Sequence, residues 1–89
     1  MPHTIQLLEK ALELKKAADW CRDLNVTESA LSKAKKKGHI SPRFAAHMAI
    51  ETGADPIFWS ALAVAEAEPD GPLKQRLMKS LDRQKTALL

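Results

Sequence analysis

The punctuation of this chain leaves room only for short helices. Gly38, Gly53 and the turn Asp70-Gly71-Pro72 stop it, and Ser41-Pro42 and Asp55-Pro56 restart it. Each restart places Ser or Asp at a helix N-cap and proline at the first helical position, where the missing N–H breaks no hydrogen bond. The glycine stops supply the left-handed backbone that closes a helix.

Between these marks the apolar residues recur at helical spacing. Ile5, Leu8 and Leu12, widened by Leu7, Ala11 and Leu14, predict a helix over residues 4–14. Ala17, Trp20, Cys21 and Leu24 predict a second over 17–24, ended by Asn25, which tolerates a left-handed backbone. A third runs from an N-cap at Thr27 to Lys37, a fourth ends at Gly53, and a fifth runs from Pro56 until Pro69. Leu73, Leu77, Leu81, Lys85 and Leu88 mark the last. The stretch Lys15-Lys16-Ala17-Ala18 holds neither cap nor breaker, so a tight bend and a nearly continuous helix both stay open there. No segment alternates with period two, and no hairpin turn separates apolar runs. The expected class is all-α.

At 89 residues the chain holds one compact domain, expected over 1–69, with a helical extension over 70–89. A chain this short buries a limited share of its surface, so a second copy is a natural source of further burial. The single cysteine excludes an internal disulfide. No apolar run is long enough to span a bilayer, and no basic-then-apolar leader opens the chain, so a cytoplasmic protein is expected.

Charge is segregated. Residues 33–43 carry five cations (Lys33, Lys35, Lys36, Lys37 and Arg43) and no acid, whereas residues 44–70 carry five acids and no Lys or Arg. Residues 71–89 return to +4, within a net charge of +3. A basic face set against an acidic one is the footprint of a polyanion binder, although such blocks also serve as ordinary solvated helix surface.

The second and third helices, joined by Asn25-Val26-Thr27, have the layout of a helix-turn-helix. Cys21 is small enough for a close crossing, Asn25 suits the turn, Val26 plugs it, and Leu31 and Ala34 face inward. At about 100° per residue from Glu28, residues Ala30, Ala34 and Leu31 fall near 200°, 240° and 300°. Glu28, Ser32, Lys36, Ser29 and Lys33 fall between about 0° and 140°. The polar arc carries short hydroxyls and cations, the side chains that a recognition helix turns toward base edges.

The run from Asp19 to Ala34, and Ser29-Ala30-Leu31-Ser32-Lys33-Ala34 above all, resembles the helix-turn-helix of phage Cro and repressor proteins. The wider layout over about residues 4–66 is similar to the five-helix lambda-repressor-like domain. The resemblance implies operator binding by a dimer, with bases read from Glu28, Ser29, Ser32 and Lys33. Asn25 stands at the usual turn glycine, and Trp20 is larger than most residues at its position. Ala17 replaces a frequent phosphate-binding glutamine, which passes backbone anchoring to Lys16 or Arg43. With Thr27, Lys35, Lys36 and Lys37, these make the expected phosphate contacts.

Other chemistries find little footing. His3, His39, His47 and Cys21 match no tetrahedral metal spacing, and His3 is expected on a frayed terminus. Glu66 and Glu68 point to different sides of a helix, and neither a phosphate loop nor a nucleophile elbow is present. No enzyme activity, cofactor or metal is expected. The fifth helix is apolar over more than one face, as core or as dimer contact, and Ile57, Phe58 and Trp59 with Leu73, Leu77 and Leu81 are the candidates for joining two copies. The expected function is a DNA-binding transcriptional regulator, a repressor more than an activator, acting on double-stranded DNA as a homodimer. The alternative is a helical adaptor that binds another protein, antitoxin-like or a host-factor binder, through its C-terminal helix. The polar interruptions of that helix give it a weak apolar face for membrane binding.

Overall fold

The computed structural model describes residues 3–88, with side chains to residue 83. The side chains of Lys85 and Leu88, on the expected last stripe, lie outside the described residues. The fold is all-helical: α1 (Thr4–Leu14), α2 (Ala17–Leu24), α3 (Glu28–Lys37), α4 (Pro42–Thr52), α5 (Pro56–Ala67) and α6 (Pro72–Leu88). No strand occurs among the described residues, and no helix there is long and apolar enough to cross a membrane.

The helix ends follow the capping residues. Ser41 Oγ accepts from the Phe44 N–H, and Asp55 Oδ1 accepts from the Ile57 N–H at 2.9 Å. Gly38 and Gly53 take φ of 82° and 79°, and Asn25 takes 57°. At Asn25 the chain closes as a Schellman motif, in which Asn25 N–H donates to the Arg22 carbonyl and Val26 N–H to that of Cys21.

The junction of α1 and α2 is a sharp break. Lys15 and Lys16 are both extended, for reasons no local pattern carries. Trp20, on α2, donates its indole N–H to the Ala11 carbonyl of α1 at 2.7 Å. The Lys15 ammonium bonds Asp23 of α2 and Glu51 of α4 at 2.7 and 2.5 Å. The break is where tertiary partners pull the chain off the helix axis.

The main core gathers Leu7, Leu8, Trp20, Leu24, Leu31, Ile40, Phe44 and Met48 with small residues at Ala11, Cys21, Ala45, Ala49 and Ala63. The alanines leave volume that one large side chain can fill, and Trp20 is 0% exposed. Its size is thus accommodated. The α1 stripe is centred on Leu7, Leu8 and Ala11, while Leu14, expected to widen it, is 57% exposed.

A second cluster forms between α5 and α6. Phe58, Leu62, Ala65 and Leu81 are buried there, with Trp59, Ala61, Leu77 and Met78 packed around them. This corrects the expected dimer surface: Phe58, Leu77 and Leu81 pack against one another's helices within one chain. Trp59 is half-buried, touches both clusters and meets Phe58 edge-on at 5.6 Å. Of the six candidates, Ile57 and Leu73 remain largely open, at 79% and 54% exposed.

His3 does not fray. It N-caps α1, and its Nδ1 lies 3.2 Å from Glu66 of α5. The same carboxylate accepts from the Thr4 N–H and the Thr4 hydroxyl, and Thr4 Oγ1 accepts from the Ile40 N–H at 3.0 Å. One carboxylate thereby links the start of α1, the end of α5 and the α3–α4 connection.

Candidate nucleic-acid interface

The α3 helix sorts its side chains by polarity. Leu31 and Ala34 are buried at 2% and 7% exposure and Ala30 is half-buried, whereas Glu28, Ser29, Ser32 and Lys33 are exposed. The four expected base readers therefore share the solvent side of one helix. Lys35, Lys36 and Lys37 are also exposed, in the last turn, where cations offset the partial negative charge of the helix C-terminus.

The start of α3 differs in detail from expectation. Thr27 occupies the N-cap position, but its hydroxyl makes no cap bond. It lies 2.9 Å from the Ser29 hydroxyl, which couples one expected phosphate contact to one expected base reader. The Thr27 carbonyl accepts from the Ala30 N–H.

Lys16 sits at the N-cap of α2 and is exposed. Arg43 is less free. Its Nη2 donates to the Leu24 carbonyl at 2.6 Å, so the guanidinium braces the start of α4 against the end of α2. Arg43 is exposed, and the guanidinium has further N–H groups besides the one in that brace, which keeps it among the expected phosphate contacts.

Behind the arc, Cys21 is buried, and its thiol is pushed up by burial first and by the Glu28 carboxylate second. That places the Glu28 charge near the α2–α3 crossing as well as on the outer face. The brace on the other side of α2 is ionic. Lys15 lies 4.3 Å from the Trp20 ring centroid, between Asp23 and Glu51. Hydrogen bonds that it donates to Asp23 and Glu51 hold the Lys15 ammonium above the usual lysine range, and accepting from Lys15 holds Asp23 below the usual carboxylate range.

Two elements of this arrangement escape local pattern reading. Glu66 and Thr4 are 62 residues apart, and no periodicity joins them. Lys15 stands in a stretch without cap or breaker, and nothing local in the sequence pairs it with Asp23 of α2 and Glu51 of α4. Compared with protein families, curated proteins and solved structures, the chain finds no match.

Proposed function

We propose that this protein is a sequence-specific binder of double-stranded DNA, a regulator of the phage Cro and repressor type with a lambda-repressor-like fold, acting as a homodimer on a two-fold operator. One observation carries the reading: Glu28, Ser29, Ser32 and Lys33 are exposed on α3, with Leu31 and Ala34 buried behind them. An α-helix fits the major groove, where short hydroxyls and a lysine meet base edges and the lysine cluster meets phosphates.

Ile57 and Val64, two turns apart on α5, are 79% and 51% exposed. These and Leu73, 54% exposed, are the apolar side chains from which a second copy would gain burial. Two copies would present two recognition helices to half-sites about 34 Å apart. The adaptor reading rested on a detachable α6, and its support weakens because Leu77 and Leu81 are packed against α5.

Selection of bound sequences from a random DNA pool tests the proposal. A palindromic consensus, with binding that falls steeply with salt, is expected. Recovery of no consensus would overturn it.

A further inference from the structure

We propose that Asp23, His47 and Glu51 form a binding site for one divalent transition-metal ion, zinc above all, for which Lys15 is the built-in competitor. His47 and Glu51 stand one turn apart on α4, and the bundle brings Asp23 of α2 to them. One ligand atom from each lies within 4.8 Å of the others. Among the described residues no second group of three such donors meets as closely.

The imidazole supplies the observation that separates this group from a simple acidic cluster. The His47 side chain is 31% exposed, but its Nε2 is shielded from solvent and has no hydrogen-bond partner. Its nearest acidic oxygen, Glu51 Oε1, is 3.8 Å away, beyond hydrogen-bond reach. The Trp20 ring meets the imidazole edge-on at 5.5 Å and limits its rotation. A buried nitrogen held beside two carboxylates is a ligand waiting for a cation more than a donor waiting for an acceptor.

The donor set fits zinc. Imidazole nitrogen and carboxylate oxygen are both zinc ligands, and three such donors with water at the fourth position complete an open tetrahedral site. Imidazole disfavours magnesium and calcium, which prefer oxygen ligands. Zinc bonds of about 2.0–2.2 Å set tetrahedral donors about 3.4 Å apart, so ligand atoms lying within 4.8 Å of one another must close by up to about 1.4 Å. The Asp23 and Glu51 side chains are about one-third exposed and have room to do so.

Lys15 already bridges these carboxylates, so metal binding is an exchange of cations. With the ammonium, the two carboxylates keep one negative charge, and a divalent ion cancels it. The ammonium would swing out beside Lys16. The metal would then tie α2 to α4 in its place.

Zinc titrated into the full chain at neutral pH tests this, by calorimetry and by the NMR signals of the histidine rings. One zinc per chain is expected, moving the His47 ring signals and leaving those of His3 and His39 in place. Lys15→Met removes the competitor and should tighten binding about tenfold or more. His47→Gln and Asp23→Asn should each weaken it about tenfold or more. Zinc should also raise the thermal midpoint of the unsubstituted chain. Absence of binding up to about 1 mM zinc, a level that detects even weak sites, would overturn the proposal. So would ring shifts confined to His3 or His39, or Lys15→Met binding no tighter than the parent. The unsubstituted chain and Lys15→Met decide the matter even if another variant fails to fold.

Discussion

The indole of Trp20 and the backbone carbonyl of Ala11 are joined by a 2.7 Å hydrogen bond in the middle of the core. The Ala11 carbonyl also accepts from the Lys15 N–H at 3.0 Å, so this oxygen collects both the last turn of α1 and the first turn of α2. Trp20→Phe removes one donor and leaves the other. It should cost about 1–3 kcal/mol in urea unfolding, and Trp20→Ala about 3–5 kcal/mol. Equal effects of the two substitutions would show that ring volume contributes little.

Lys15 and Asp23 give stability a pH dependence with a definite sign. Asp23 is held below its unfolded value of about 3.9, so its contribution is present above that pH and lost as pH falls through the lowered folded value. Lys15 is held above its unfolded value of about 10.4. Its contribution is present below that pH and lost as pH rises through the raised one. Asp23→Asn should flatten the acid limb of urea midpoint against pH. An acid limb identical to the parent's would show that this pair does not couple to folding.

On α3 the substitutions should divide by location. Lys33→Ala is expected to lose about 1–3 kcal/mol, concentrated on the selected site, whereas Lys36→Ala with Lys37→Ala should weaken all DNA and flatten the salt slope by about one unit per lost contact. Glu28→Gln should relax preference at one base pair while affinity holds or rises, as expected of a carboxylate that accepts from cytosine and repels phosphate. Binding curves on selected and random duplexes at several salt concentrations separate these outcomes.

Neighbouring residues of α5 should respond in opposite ways. Ile57→Asp, at a position 79% exposed, should leave unfolding nearly unchanged and shift sedimentation toward monomer. Phe58→Asp buries a charge in the α5–α6 cluster and should unfold the chain at that end, at a cost of several kcal/mol. Truncation after Pro69 uncovers Phe58 and Leu62 and should also destabilise. If the parent is dimeric and Ile57→Asp sediments like it, the proposed contact lies elsewhere, and a monomeric parent would remove the homodimer from the proposal.

How much of this was legible in the amino-acid order depends on the range of the interaction. Caps at Ser41 and Asp55, stops at Gly38 and Gly53, and the polarity split of α3 are local, and they mark the helices closely. An apolar stripe such as Leu73-Leu77-Leu81 says that a face is covered without saying by what. Here α5 of the same chain covers Leu77 and Leu81, where a second copy was expected, and leaves Leu73 open. The Lys15–Asp23–Glu51 bridge, the Arg43 brace and the Glu66 contact join different helices, and no spacing rule reaches that far. The break at Lys15 follows from such contacts, so the sequence left both alternatives open.

The Glu66 link to Thr4 and, through it, to the Ile40 amide sets an order of assembly. Closing a loop of 62 residues costs more chain entropy than the turns within α1–α4, so this contact is among the last to become favourable. During synthesis α3 emerges well before Glu66 does. Thr4 and Ile40 can meet before Glu66 is made, and the Glu66 carboxylate joins that pair only when the end of α5 reaches the start of α1. A chain that ends before Glu66 would carry all of α3 and lack the carboxylate that ties its far connection, through Thr4, to α5.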